Sequence, residues 1–277
     1  MGDGRPAGRQ VIRSPRFFLV LTALLAAACA TTHAVVETDP AQVDAAATLP
    51  PGADGALIGY GREIIADTPK SAGRYITARM SCAACHPGAG TQAHRGSLLG
   101  VYAKFPQWNK RAHRFIALQD RLAECFLYSM NGRPPPYDSR EMIAMTAYIA
   151  WLSRGARVGD GFPDQALLKT APPSAPSAAR GAAVYAASCL RCHGANGQGA
   201  GTVIPPLWGA YSFNDRAGMA HIDRMGPFVL AAMPQDKPGS LSAQQAFDVA
   251  AWVLAHSRPR FDPKRLIGYP AQPAGFF

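Results

Sequence analysis

The five-residue pattern Cys-X-X-Cys-His occurs twice in the chain, as CAACH at residues 82–86 and as CLRCH at residues 189–193. In each copy, two thiols lie three positions apart and an imidazole follows directly. Thiols at this spacing can bond to the two vinyl groups of a haem, while the adjacent histidine reaches its iron as proximal ligand. We therefore predict two covalently bound haem c groups. The residues that attach and ligate them are Cys82, Cys85, His86, Cys189, Cys192 and His193.

Two other chemistries use paired cysteines, a redox dithiol and half of a zinc site. Neither explains why a histidine follows both pairs, and a zinc site would also require the two pairs to meet in space. The haem interpretation accounts for all six residues.

The sequence around the two sites repeats as well. Small and apolar residues recur at helical spacing ahead of the sites, in residues 56–65 and 178–189. Behind the sites, amphipathic helices are predicted within residues 140–155 and 243–257, each preceded by a serine suited to cap it. Both halves resemble the small all-α cytochrome c domain, in which the first and last helices cross beside the haem. We predict an all-α protein with two tandem cytochrome c-like domains.

The N-terminus is predicted to be an export signal, because arginines precede an apolar run at residues 17–28 that small residues follow. Two cleavage sites fit, a lipoprotein-type site at Cys29 and an ordinary small-X-small site, and both stay open. The predicted order is the signal (1–30), the N-terminal haem domain (31–157), a Pro-, Gly- and Ser-rich linker (158–177), the C-terminal haem domain (178–260) and a tail without helical periodicity (261–277).

Composition and export together restrict the partners. The chain has 277 residues, 48% of them hydrophobic, which is typical of a globular protein, and a formal net charge of +10. Export to the bacterial periplasm separates this basic protein from nucleic acid, which is therefore excluded as a partner. Contact with a membrane is predicted only through a lipid anchor at Cys29.

The second site has a recognisable ligand loop. The segment IPPLWG at residues 204–209 matches the cytochrome c loop whose proline carbonyl orients the proximal histidine, which predicts Pro206 acting on His193. The distal ligand is predicted to be a methionine. Met233 is favoured, since it lies forty residues after His193 in a Met-Pro turn. The other donors in this half are Met219, Met225 and Lys237, which we expect to pack as apolar side chains or, for the lysine, to be solvated.

Cys125 remains without a cysteine partner in the stretch RLAECFLYSMNG at residues 121–132. Leu122, Phe126 and Met130 share its helical face, so the sulfur is predicted to point inward. A buried free cysteine can simply pack as a small hydrophobe, but an unpaired thiol in an oxidising compartment is a liability unless something occupies it. A thiolate is a strong donor to ferric iron. We therefore predict Cys125 as sixth ligand of the first haem.

Other donors in the first half compete with Cys125 for this position. Met142 and Met145 are predicted to pack in the core, since they lie three apart in the closing helix beside isoleucines. His94 and His113 lie among charged residues, where a solvated histidine is expected. Met130 stays open as a further donor.

Basic side chains cluster ahead of Cys125. Between residues 104 and 121, five of them stand against the single acid Asp120. On charge alone this pattern predicts equally a face that docks an acidic partner and a pocket for a small dianion. The five are Lys104, Lys110, Arg111, Arg114 and Arg121.

The segment FPQWNKRAHRFIALQDRLAECFLYSMNGRPPP (105–136), with MIAMTAYIAWLSRG (142–155) and PPLWGAYSFNDRAGM (205–219), resembles the dihaem thiosulfate dehydrogenases. The resemblance covers most of the chain from about residue 60 to residue 257. It implies an enzyme that couples two thiosulfates into tetrathionate, with a second haem that passes electrons to an external acceptor such as a small cytochrome c or a high-potential redox protein.

The resemblance also implies residue roles. Cys125 matches the distal ligand of the active-site haem, and the pocket residues carried over by position are Arg121, Ser129 and Arg111. The second haem of this family takes Met or Lys as its distal ligand, and no lysine adjoins Met233 here. Two alternatives are a tetrathionate reductase that works in the reverse direction and a non-catalytic dihaem electron-transfer protein that serves a partner oxidoreductase.

Overall fold

The computed structural model describes three stretches of the chain, residues 1–2, 48–160 and 167–266. Everything described from residue 48 onward belongs to one compact unit, Thr38–Phe277. Most of the predicted export signal, Cys29 and residues 267–277 of the tail lie outside the described residues. In the described part, no helix has both the length and the apolar character needed to cross a membrane.

Helices dominate both halves, as predicted. The α-helices of the first half are α1 (Gly52–Ala66), α2 (Thr68–Ala72), α3 (Pro87–Gly90), α4 (Leu118–Glu124) and α5 (Arg140–Trp151). Short 3₁₀ turns span Gly73–Tyr75, Cys82–Ala84 and Val101–Lys104, and a π-helix spans Cys125–Ser129. The second half has α6 (Ala178–Ser188), α7 (Leu190–His193), α8 (Ile222–Ala232) and α9 (Ala243–Leu254), with 3₁₀ turns at Gly218–Ala220 and Pro263–Leu266. The predicted linker has no helix or strand in residues 158–160 and 167–177, its described parts.

The closing helices α5 and α9 begin at serine caps, as the sequence predicts. Ser139 accepts the backbone N–H of Met142, and Ser242 accepts that of Gln245, each at 3.2 Å. The Gln245 side-chain oxygen accepts a hydrogen bond from the backbone N–H of Ser242, which completes a capping box. These bonds satisfy first-turn N–H groups that a helix leaves without internal partners.

The first and last helices of each half cross at a glycine. A Cβ built on Gly61 of α1 would lie 2.0 Å from the Ala144 carbonyl oxygen of α5, and one built on Gly181 of α6 would lie 2.0 Å from the Asp248 carbonyl oxygen of α9. Only a residue without a side chain permits so close an approach. The same crossing therefore organises both halves.

One of the two main hydrophobic cores is shared between the halves. The first core packs α1 against α5 and includes Ile64 and Met145. The second core combines Leu127, from the segment after Cys125, with Trp208 and Val253 of the second half. Burial of a large apolar side chain contributes about 1.5–3 kcal/mol to the stability of the fold. Because Leu127 packs with side chains of the second half, the segment that carries Cys125 is stabilised by both halves.

A buried asparagine adds polar contacts to this junction. Asn214 is 0% exposed, and its Nδ2 donates to the Leu127 carbonyl at 2.8 Å and to Asn131 Oδ1 at 3.2 Å. Its backbone N–H donates to the Tyr128 carbonyl at 3.1 Å. The loop of the second half thus satisfies backbone groups of the first half immediately after Cys125.

A small hairpin is the one β element in the described residues, and the sequence analysis did not predict it. Strand β1 (Gln107–Asn109) pairs antiparallel with β2 (Arg114–Ile116), and Trp108 lies opposite Phe115. The two rings meet edge to face at 5.5 Å, an arrangement that stabilises cross-strand pairs. The hairpin places the basic turn between its strands next to the site described below.

Replacing Gly61 with alanine tests the helix crossing. The new methyl group would collide with the α5 backbone, so we expect the Gly61→Ala variant to lose about 1–3 kcal/mol of unfolding free energy. Gly59→Ala is the matched control in the same helix, because its Cβ would meet only Leu49 Cδ1 at 3.4 Å. That change should raise the helix stability by about 0.5–1 kcal/mol. Guanidinium unfolding of the haem-loaded variants measures both, and equal stabilities would contradict the crossing.

Candidate functional site

The first attachment site is anchored to the end of α1. The backbone N–H of Cys82 donates to Thr68 Oγ1 at 3.0 Å, and the Thr68 hydroxyl donates to the Ile64 carbonyl at 2.8 Å. Thr68 is fully buried. A buried hydroxyl with both roles satisfied fixes its neighbours firmly, so the first thiol is held in place by the helix that crosses α5.

A backbone carbonyl orients the first histidine. His86 Nδ1 lies 2.5 Å from the Gly96 carbonyl oxygen, which makes Nδ1 the donor and leaves Nε2 for a metal. Burial lowers the pKa of His86, which favours the neutral imidazole that a metal ligand requires. Gly96 has a φ of +69°, and a Cβ there would lie 2.6 Å from the Cys85 carbonyl oxygen. Only glycine fits this position without strain.

The second histidine is oriented in the same way, but by a different proline from the one predicted. His193 Nδ1 lies 3.1 Å from the carbonyl oxygen of Pro205, so the assignment to Pro206 is wrong by one residue. The loop register explains the shift, because Ile204 pairs with Ala200 through two backbone hydrogen bonds. The next carbonyl along the chain then faces the imidazole, while Pro206 lines the adjoining cavity.

Three thiols of the two motifs have raised pKa values because they are buried. Burial raises the pKa of Cys82 to about 11, that of Cys85 to about 12 and that of Cys189 to about 11. Redox dithiols have the opposite property, a lowered pKa that provides a thiolate near neutral pH. The redox-dithiol interpretation is therefore disfavoured at the first site, where both thiols are shifted upward.

A cavity of about 250 Å³ adjoins the first attachment site. His86 lines it together with Cys125, Arg121 and Ser129, so three of the predicted pocket residues meet at the same cavity as the proximal histidine. Lys104 and Gln107 also line it. We call it the substrate-side cavity.

The backbone at Cys125 departs from a regular α-helix. The helix α4 ends at Glu124, and the N–H of Met130 donates to the Cys125 carbonyl at 2.9 Å, the five-residue step of a π-helix. Such wide turns occur frequently at functional sites. Cys125 is half-buried, and unlike Cys82 and Cys85 it packs against none of the described hydrophobic clusters. The core-packing interpretation of this cysteine is therefore disfavoured.

The guanidinium of Arg121 interacts electrostatically with Cys125. The pKa of Arg121 is raised, first by negative charge on Cys125 and further by the Glu124 carboxylate, while burial opposes the rise. Its Nη1 donates to Glu124 Oε2 at 3.2 Å, 51% of its side chain is exposed, and Arg121 lines the cavity. The guanidinium is thus anchored at one end and accessible at the other.

Arg111 is not among the residues that line the substrate-side cavity. Its guanidinium carbon lies 4.5 Å from the centre of the Tyr128 ring, and its Nη2 donates to the Arg216 carbonyl at 3.1 Å. The competing donors His94 and His113 do not line this cavity either. Met142 and Met145 are fully buried in the first core, as predicted, and Met130 is buried in the second, while Met130 and Met145 also line the cavity.

A larger cavity of about 810 Å³ adjoins the second attachment site. His193 lines it, and so do Met219, Met225 and Met233. Met225 belongs to the shared core and Met219 packs against it, whereas Met233 joins none of the described clusters. Met233 is therefore the methionine whose sulfur is least committed to packing. Lys237 is not among the lining residues.

The two cavities have a common wall. Met80, Ser81 and Cys85 line both of them. Ser81 Oγ donates to the Thr202 carbonyl of the second half at 3.4 Å, so the wall itself bridges the halves. The first attachment motif therefore lies directly between the two sites.

Comparison with known proteins agrees with this arrangement. Residues 74–158 match the model of the SoxA/TsdA cytochrome c domain, and residues 176–253 match that of cytochrome c oxidase, cbb3-type, subunit III. Thiosulfate dehydrogenase of Stutzerimonas stutzeri (strain A1501) is 40% identical over 79% of this chain and 73% of its own length. Thiosulfate dehydrogenase of Allochromatium vinosum is 40% identical over 79% of this chain and 84% of its own.

The chain belongs to the thiosulfate dehydrogenase family.

A solved structure of this family, thiosulfate dehydrogenase (TsdBA) from Marichromatium purpuratum in its as-isolated form, aligns with a TM-score of 0.73 and 31% identity. The alignment covers 82% of this chain and 52% of the other, so this chain spans about half of that protein. The matches confirm the predicted all-α class with two cytochrome c domains.

Membership of the thiosulfate dehydrogenase family makes the chain a cytochrome c-type oxidoreductase with two covalently bound c-type haems. The residues of the structure fit these groups. Each thiol pair lines the same cavity as its own histidine, and each histidine has its Nδ1 bound to a carbonyl. Cys125 and Met233 as sixth ligands stay predictions.

Sequence reasoning missed two residues that hold the first site of this thiosulfate dehydrogenase homologue, Thr68 and Gly96. Gly96 acts through its backbone carbonyl, which leaves no side-chain signal, although a glycine in the loop after an attachment motif could have been considered. Thr68 precedes a proline, which marks a helix start but not a contact with Cys82, fourteen residues later.

Replacing Gly96 with alanine tests the orientation of His86. At a φ of +69° alanine is strained by about 1–2 kcal/mol, and its Cβ would push the loop away from Cys85. We expect altered g-values in the EPR signal of the first haem with no change in the signal of the second. Gly73→Ala is the control, because its φ is −56° and its Cβ would meet nothing within 4 Å. Identical spectra for both variants would contradict the role of Gly96.

Proposed function

We propose that this protein is a thiosulfate dehydrogenase, which joins two thiosulfates into one tetrathionate. Two S₂O₃²⁻ ions form S₄O₆²⁻ and release two electrons as the new sulfur–sulfur bond forms. The observation that carries this proposal is that Cys125, Arg121 and Ser129 line one cavity together with His86. The cavity thus combines a thiol, a guanidinium and a hydroxyl at the site of a redox cofactor.

Arg121 and Ser129 supply the groups that bind the sulfonate end of thiosulfate. A guanidinium gives paired, charge-assisted hydrogen bonds to such oxygens, and a hydroxyl adds one more donor. Lys104, which also lines the cavity, adds a further positive charge. These cations offset the repulsion between two dianions that must approach each other. Arg111 does not line the cavity. It is included in the proposal because the neighbouring hairpin turn carries it.

Cys82, Cys85 and His86 would hold the first haem, and Cys189, Cys192 and His193 would hold the second; each iron, when bound, would supply one-electron redox chemistry. We propose Cys125 and Met233 as the sixth ligands. Two one-electron groups match the two electrons that one sulfur–sulfur bond releases. The common wall of the two cavities supports passage of electrons to the second half and on to an external acceptor, such as a small cytochrome c or a high-potential redox protein.

The cellular setting is part of the proposal. The predicted export signal supports a periplasmic location, with a lipid anchor if cleavage occurs at Cys29. The same donors would bind the sulfonate ends of tetrathionate, so the reaction is proposed to run in both directions. Reduction of the purified haems by thiosulfate alone tests the enzymatic role. A wild-type protein whose haems stay oxidised would instead be a non-catalytic dihaem electron carrier.

Replacing Cys125 with methionine removes the proposed anionic ligand. We expect thiosulfate oxidation to fall by roughly two to four orders of magnitude, the cost of removing one catalytic group. EPR of the oxidised variant should lose the low-spin thiolate/imidazole signal and keep the signal of the second haem, which serves as the internal control. Full thiosulfate oxidation by Cys125→Met would refute the assignment.

Replacing Arg121 with glutamine removes a charge-assisted bond to the substrate. Such a bond contributes about 1.5–3 kcal/mol, so we expect the KM for thiosulfate to rise roughly 10- to 100-fold. Lys110→Gln is the control, because it removes the same charge from the neighbouring hairpin turn without touching the cavity. Steady-state kinetics measures both variants, and equal KM values would show that Arg121 acts only through overall charge.

A further inference from the structure

Glu124 is a buried carboxylate directly before Cys125. The residue is only 5% exposed. A carboxylate out of water is costly unless hydrogen bonds or a cation compensate it. A negative charge at this position also repels a dianion in the adjoining cavity. The hydrogen-bond partners of its two carboxylate oxygens therefore decide its role.

One oxygen of Glu124 holds Arg121. Oε2 accepts a hydrogen bond from Arg121 Nη1 at 3.2 Å. The arginine has five N–H donors in a rigid fork, so this bond restrains one nitrogen of the guanidinium and leaves other donors for an anion. The side chain that lines the substrate-side cavity is thus restrained from behind.

The other oxygen holds the hairpin. Oε1 accepts a hydrogen bond from Asn109 Nδ2 at 3.1 Å. Asn109 Oδ1 in turn accepts the backbone N–H of Arg111 at 2.8 Å and that of Ala112 at 3.0 Å. Asn109 is the last residue of β1, so the carboxylate is connected through one amide to the turn that carries Arg111.

We propose that Glu124 is a positioning residue, which holds Arg121 in one arrangement for the sulfonate oxygens of thiosulfate and ties the hairpin turn that carries Arg111 to the same helix. The inference rests on the proposed function of this cavity. A pre-oriented cation loses less conformational freedom on binding, so positioning raises affinity even though the carboxylate itself repels the anion. The two effects of Glu124 on binding therefore have opposite signs.

This opposition gives a decisive experiment with Glu124→Ala. If Glu124 positions Arg121, the KM for thiosulfate rises by about tenfold or more, the equivalent of one hydrogen bond to a charged group, with a smaller change in kcat. If only its charge matters, the KM falls. Calorimetric binding of sulfate, a tetrahedral dianion that does not react, should weaken in parallel. A KM that is unchanged or lower would overturn the proposal.

The control is Glu141→Ala in the same half. Glu141 is another buried carboxylate, paired with Arg74 at 2.6 Å, and it does not line the cavity. We expect it to lower stability without moving the KM or sulfate binding. A KM that rises equally in both carboxylate variants would overturn the positioning role.

Two milder variants keep the proposal testable if Glu124→Ala does not take up haem. Glu124→Gln leaves one acceptor oxygen and so only one of the two connections, and Asn109→Ala cuts the hairpin connection while the charge stays. Each should raise the KM, and unchanged values in both would overturn the proposal. Failure of the proposed function is distinguishable, because the wild-type haems would then not be reduced by thiosulfate at all.

Discussion

The Nδ1–H of each attachment histidine is bound to a backbone carbonyl, and much of the structure serves to keep that carbonyl in place. His86 depends on the Gly96 carbonyl and His193 on that of Pro205. A loop can present a carbonyl steadily only when its own backbone is constrained. In the second half the constraint is the pairing of Ile204 with its partner across the loop, and in the first it is a close approach that excludes a side chain.

The sequence predicted those features that side-chain chemistry specifies. Six attachment residues, two serine caps and the helices around them follow from spacing and from donor type. The inward face of Cys125 was also predictable, because apolar residues recur at helical spacing around it. What could not be predicted were features set by the backbone. The choice of Pro205 over Pro206 depends on loop register, and the π-helix depends on one hydrogen bond from Met130 that periodicity does not encode.

The site residues divide in the same way, into those that the sequence pattern predicts and those whose place depends on tertiary structure. Arg121, Ser129 and Cys125 lie within nine residues of one another, so a single helical segment delivers all three to the cavity. Arg111 lies outside that segment, in a turn whose place depends on a hairpin that no pattern indicated. A residue that is assigned from the family resemblance can therefore lie close to a site without lining it. Its role depends on tertiary contacts that are absent from the sequence.

The wall formed by Met80, Ser81 and Cys85 has a consequence for how the protein takes up charge. These residues line both cavities, so the same three side chains separate the sites of the two redox centres. In a protein interior, a charge added on one side of a thin wall is felt on the other with little screening. With a haem bound in each cavity, an electron on one would therefore make the other harder to reduce. The midpoints of a redox titration would then belong to the pair and not to either centre alone.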